Sequence, residues 1–145
     1  MEKTAVAGEP VLAELLCFDL YAASRTLTHR YRPLLEKHGL TYPQWLVLVE
    51  LWRATPQPVK ALGASLRLDH GTLTPLLRRM EVNGLVRRTR SLADERVVDI
   101  TLTAAGEALR AEAAAIHCEI GDSLGLTSDQ VLDLQQTLRK IAGRD

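Results

Sequence analysis

Residues 59–102 read "VKALGASLRLDHGTLTPLLRRMEVNGLVRRTRSLADERVVDITL", and this stretch decides the fold. Two short helical patterns follow in close order, "VKALGASLRL" and "GTLTPLLRRMEVNG". The second ends on Gly84, a residue suited to the position just past a helix C-terminus. A proline is best tolerated in the first helical turn, so Pro75 places the start of that helix near Gly71 or Thr72. After Gly84 the apolar period changes from helical to alternating. "LVRRTR" and "RVVDITL" flank the polar tip "SLADE", with Val97, Val98, Ile100 and Leu102 supplying the apolar positions. A short helix, a tight turn, a longer helix and a two-stranded ribbon are together the order of a winged helix–turn–helix.

Working outward, the first nine or so residues read as a frayed tail. Leu12, Leu16, Leu20, Leu27, Leu34 and Leu35 hold a helical phase, giving a long first helix over roughly 11–37 with Gly39 past its end. Thr41-Tyr-Pro-Gln44 reads as a capping box with proline in the first turn, opening a helix that runs through Trp52 to the breaker "ATPQP". Beyond the ribbon, Thr103 caps an Ala-rich helix running toward Gly121. A second capping box, Thr127 to Gln130, opens a last helix with Val131, Leu134, Leu138 and Ile141 on one side. The expected class is mainly α with a small β-hairpin wing, in one domain.

Eighteen Lys plus Arg balance 18 Asp plus Glu in the 145 residues, which argues against a globally basic nucleic-acid binder. The distribution says more. Residues 59–101 carry 8 basic and 5 acidic side chains, and residues 103–145 carry 4 and 7. The middle of the chain is locally positive, and local sign governs docking on phosphates. His70, Thr72 and Thr74 fall at the start of the second helix of the pair, and Arg78 and Arg79 fall further along it. Small hydroxyls and the positive end of a helix suit close approach to phosphates and base edges. Arg87, Arg88 and Arg90 line the ribbon, and Arg96 sits at its tip beside Asp94, shaped to enter a minor groove. A solvated charged face is the plainer reading of any one cluster. The coincidence of element order and basic placement favours double-stranded DNA as the partner.

The two cysteines, Cys17 and Cys118, are too few and too far apart for a disulfide scaffold or a metal knuckle. His29, His38, His70 and His117 show no ligand spacing with them, so neither metal nor cofactor is expected. Their scarcity suits a reducing, cytoplasmic compartment. No secretory signal is visible, and no apolar run approaches the ~20 residues that span a bilayer. Cys17 lies on an apolar stripe, where a cysteine reads first as a small core filler. The three tyrosines, Tyr21, Tyr31 and Tyr42, give a second reading, because a phenol that donates to a thiolate stabilises its charged form. Tyr21 is one turn from Cys17. Tyr31 shares the stripe but stands ~21 Å along a straight helix, within reach of that sulfur only from a second subunit. A ring buried in the core with a satisfied hydroxyl is the plain alternative for each tyrosine. His117 reads as a surface histidine.

"LCFDLYAASR" (16–25), "GLTYPQWLVLVELW" (39–52) and residues 68–103 together resemble the organic-hydroperoxide-sensing, OhrR-type branch of the MarR regulators, from about Leu12 onward. Asp94-x-Arg96 followed by Ile100-x-Leu102-Thr103 is the general MarR signature. Cys17-x-x-x-Tyr21 with the later T-Y-P-Q points to the peroxide-sensing branch. His70 stands where that branch commonly has serine. The resemblance implies a homodimeric operator-binding repressor, with a winged lobe over 59–102 and mainly dimerisation helices over 11–38 and 103–145. It implies Cys17 as the peroxide-reactive thiol and Cys118 as the resolving one, bridged between subunits, with Tyr31 and Tyr42 of the partner chain bonded to the thiolate. Organic hydroperoxide is the implied effector. Two other classes stay open: a repressor that answers a small phenolic or other ligand, with structural cysteines, and a thiol peroxidase.

Overall fold

Side-chain caps set where most of the helices begin. In the computed structural model, which describes residues 8–143, a short 3-10 turn (Leu12–Glu14) leads into α1 (Leu16–Glu36) and α2 (Tyr42–Arg53). Strand β1 (Gln57–Pro58), α3 (Val59–Leu66) and α4 (His70–Val82) follow, then β2 (Val86–Arg90) and β3 (Val98–Leu102). Helices α5 (Ala104–Ala108), α6 (Arg110–Ser123) and α7 (Ser128–Ile141) complete the described chain. Both capping boxes form: Thr41 with Gln44 opens α2 and Thr127 with Gln130 opens α7. Thr103 caps α5 by accepting from the Gly106 amide. The fold is mainly α with a β wing. The expected frayed tail falls largely on residues 1–7, outside the described residues.

Four boundaries differ from the sequence reading. Leu15 is extended (φ −85°, ψ 111°), so the long first helix is interrupted there and α1 starts at Leu16. Helix α4 begins at His70, ahead of Gly71 or Thr72, because the Asp69 carboxylate accepts from the Thr72 amide at 2.7 Å and fixes the cap. Pro75 therefore lies in the second turn of α4. The Ala-rich helix divides at Leu109, whose ψ of −17° tightens the turn between α5 and α6. Last, the hairpin is part of a three-stranded antiparallel sheet, in the order β1-β3-β2. The Gln57 side-chain amide donates to Ala54 O (2.7 Å) and Glu50 O (3.1 Å), which holds the extended segment against β3.

Wing register follows the alternation. Val86, Arg88 and Arg90 pair with Leu102, Ile100 and Val98, so the face carrying Val86 and Ile100 is buried while Arg87 and Thr89 turn outward to solvent. The core gathers Leu34 and Leu35 of α1, Trp45, Val47, Leu48, Leu51 and Trp52 of α2, and Leu73, Leu77 and Met80 of α4. Ile116 and Ile120 of α6 close it.

The root of the wing is fastened to α2 and α5. Thr103 Oγ1 donates to Gly84 O at 2.5 Å and its amide to Leu85 O at 3.1 Å. The Trp52 indole N–H donates to Gly106 O at 3.0 Å. A Cβ on Gly106 would stand 2.2 Å from Leu85 O, a backbone atom that cannot move without carrying the wing with it. Gly106→Ala is expected to destabilise the fold by about 1–3 kcal/mol, read as a lowered thermal midpoint. An unchanged midpoint would show that the wing root can shift freely.

Candidate nucleic-acid interface and thiol site

Helix α4 and the wing flank a cleft of about 730 Å³. Its floor is apolar, made by Leu73, Leu77 and Val98, and its polar rim is formed by Lys60, Arg67, His70, Thr74, Arg88 and Arg96. Four of the expected DNA-contact residues, His70, Thr74, Arg88 and Arg96, thus meet on one concavity. Thr72, Arg78, Arg79 and Arg90 stand outside its lining, exposed on α4 and the strand. Lys60 and Arg67 join the rim without having been singled out. Arg67 sits in the turn between the paired helices with a left-handed backbone (φ 54°), and its Nη1 donates to Ala142 O at 2.6 Å just past α7. A non-glycine residue at a helix C-cap gives no sequence sign of that geometry.

Electrostatics pin several of these groups. Asp69 accepts from Thr72, and Asp94 accepts from the Arg96 amide (3.0 Å) and from Arg96 Nε (3.2 Å). These bonds hold both carboxyls below the usual aspartate range. Asp94 thereby orients the arginine at the tip. His70 Nε2 lies 3.3 Å from Thr74 Oγ1, one turn along α4. Arg88 is half-buried: its amide donates to Glu81 Oε2 at 2.9 Å, and its Nε is enclosed with no hydrogen-bond partner. It is therefore more deeply set than an arginine simply lining the outside of a ribbon.

Both cysteines are free and exposed. Cys17 does not fill the core formed by the described residues, which leave much of the first half of α1 exposed: Leu16 is 62% exposed and Tyr21 58%. Tyr21 is turned to Arg25, whose guanidinium stands 5.4 Å from the ring centroid. Tyr31 and Tyr42 pack ring to ring at 5.0 Å, with Trp45 6.4 Å from Tyr31. α1 is continuous from Cys17 to Tyr31, so the ~21 Å separation along its axis stands. At the other end of the chain, α7 has no buried residue, and Leu126, Leu132, Leu134 and Ile141 are exposed. Among the described residues no helix is long and apolar enough to cross a membrane, and no group of three or more His, Cys, Asp or Glu could hold a metal ion.

Burial raises the Tyr31 and Tyr42 phenols above their ordinary 10.0, with the Tyr42 charge adding to the effect on Tyr31. Both rings are therefore protonated hydrogen-bond donors at neutral pH. Because the folded state holds these protons more tightly than the unfolded chain, their contribution to stability is present below pH 10 and declines as pH rises past it. Tyrosinate absorbance on alkaline titration should show late-ionising phenols, one of which disappears in Tyr31→Phe and one in Tyr42→Phe. Three phenols ionising together near pH 10 would contradict the packing described.

Comparison with known proteins bears on this site. A profile of the MarR family matches residues 40–98. The organic hydroperoxide resistance transcriptional regulator of Bacillus subtilis (strain 168) is 49% identical over 125 residues, covering 86% of this chain and 83% of that one. Two solved structures of AbfR, a protein of Staphylococcus epidermidis, are also similar. Reduced AbfR bound to DNA is 38% identical with a TM-score of 0.71, covering 90% of this chain and 96% of that one. Disulfide-formed AbfR is 37% identical with a TM-score of 0.65, covering 90% and 92%.

Proposed function

Because the chain belongs to the MarR family of transcriptional regulators, we propose that it is a homodimeric, operator-binding repressor switched by organic hydroperoxide at Cys17. The observation that carries the reading is the exposure of Cys17 on an apolar helix face that the described residues leave exposed. A second copy covering that face and the bare face of α7 would place its Tyr31 and Tyr42 phenols, neutral donors, against the Cys17 sulfur. Residues 11–38 and 103–145 supply most of that contact, and residues 59–102 the DNA lobe. His70, Thr72, Thr74, Arg78, Arg79, Arg88, Arg90 and Arg96 face the duplex, with Asp94 orienting the tip. Tyr21, held by Arg25, is a weaker candidate for the thiolate than the partner's phenols.

The chemistry closes without a cofactor. The Cys17 thiolate attacks the distal peroxide oxygen; the O–O bond breaks, the alcohol leaves with a proton, and the sulfur becomes a sulfenic acid. The Cys118 thiol then attacks that sulfur, releasing water and forming a disulfide. Arg30 Nη1 meets Ser123 O at 2.7 Å and marks the level where α1 and α6 touch. Cys17 stands ~20 Å along α1 from that level and Cys118 ~8 Å along α6, whereas a bridge needs Cα atoms within about 7 Å. That separation supports a bridge between subunits. Drawing the two chains together would tilt the recognition helices off the spacing of successive major grooves and weaken DNA binding. The hydroperoxide named in the Bacillus subtilis relative, the reduced AbfR bound to DNA, and the separate disulfide-formed AbfR support the same cycle.

The test is a gel shift on a duplex selected for binding to the reduced protein, before and after cumene hydroperoxide. Wild type should release DNA and run as a disulfide-linked dimer on a non-reducing gel; Cys17→Ser should keep DNA, and Cys118→Ser should form no such dimer. Release of DNA by oxidised Cys17→Ser would sink the thiol reading and favour a repressor answering a small ligand.

A further inference from the structure

Helix α3 turns an exposed row toward the cleft. Lys60, Ala64 and Arg67 stand at i, i+4 and i+7, and all three line it. Two cations therefore lie ~10 Å apart along the helix axis, with only the Ala64 methyl between them. We propose that Lys60 and Arg67 anchor the sugar–phosphate backbone of the bound duplex, extending the DNA interface from α4 and the wing onto α3. The inference rests on the DNA reading of this face and adds to it two residues outside the recognition helix and the wing.

The charge around the row has one sign. Residues 57–68 contain no acidic side chain, and no carboxylate lines the cleft. Neither Lys60 nor Arg67 is paired with a described carboxylate. Both are open to a polyanion, and Arg88 and Arg96 reach the same concavity from the wing. A strand lying across the cleft meets the start of α4, the wing arginines and this row together, and each phosphate neutralised releases counterions.

Arg67 also occupies a position suited to glycine. At the C-cap of α3 its backbone is left-handed (φ 54°), a conformation in which an L side chain is strained. Arginine there sacrifices backbone stability for what its side chain reaches. Nη1 donates to Ala142 O at 2.6 Å, just past α7. That bond steadies the guanidinium at the rim and leaves the remaining N–H groups of the fork for an anion, so less side-chain freedom is lost on meeting a phosphate. Lys60 adds a compact charge on a flexible stem.

The salt dependence of affinity tests this. Fluorescence anisotropy is run with the selected duplex and with an unrelated one, thiols kept reduced, from about 50 to about 200 mM salt. Lys60→Ala, Arg67→Gly, Arg67→Lys and the Lys60→Ala, Arg67→Gly double variant are compared with wild type. Glycine accepts the left-handed backbone, so Arg67→Gly removes the side chain without straining the turn. Each neutral single variant should flatten the slope of log affinity against log salt by about 0.9, and raise Kd on the order of three- to tenfold on both duplexes. The double variant should lose about twice as much slope, and Arg67→Lys should keep the wild-type slope. A merely structural role would move the thermal midpoint and not the slope. A wild-type slope in the double variant would overturn the proposal while leaving DNA binding intact. Failure of the wild type to bind either duplex would instead remove the DNA reading, and this inference with it.

Discussion

Helix α5 meets the root of the wing at a position where no side chain can stand. Gly106 lies so close to Leu85 O that a single methyl would occupy the space of that oxygen. The close approach lets Thr103 bond both to Gly84 O and to the Leu85 carbonyl, and lets Trp52 reach Gly106 O. Three elements distant in sequence are joined there: α2 with its aromatic cluster, the wing, and the start of the C-terminal helices. The orientation of the wing relative to α4, and so the shape of the cleft between them, depends on this joint. Trp52 also stacks edge-on against Trp45, which contacts Tyr31. The buried phenols and the wing root thus belong to one packed aromatic series, a physical connection between the tyrosine pair and the DNA-facing lobe.

Much of this was legible from local signals. Thr41, Thr103 and Thr127 each announce a helix start because a hydroxyl at that position satisfies an amide the helix leaves free. The alternation of Val86, Ile100 and Leu102 fixes which face of the ribbon turns inward. What was not legible depended on partners far along the chain. Strand β1 is two residues long and exists because β3 is beside it. Arg67 joins the cleft because of its left-handed backbone, which arginine does not advertise. Cys17 shows the limit most plainly. Leucine periodicity establishes that α1 has an apolar face, but it does not say whether the same chain covers that face.

The result is a division of surfaces. Cations concentrate in the middle of the chain, around a cleft without carboxylates, while apolar side chains remain bare toward both ends, on α1 and α7. The overall charge of zero conceals both features. A single copy therefore presents one surface suited to a polyanion and another suited to burial against protein, and Arg67 touches both regions by lining the cleft while holding the carbonyl just past α7.

The sheet order β1-β3-β2 leaves β2 at an edge. A strand edge is a template on which another chain can build, and such edges drive fibrous association unless something discourages it. Here the edge carries Arg87, Arg88 and Arg90 in a five-residue strand, and the Arg88 amide is already occupied by Glu81. Two such edges brought together would face charge against like charge. Neutralising these arginines to abolish nucleic-acid contact would therefore also expose a sticky ribbon, and the first sign in the test tube would be precipitation.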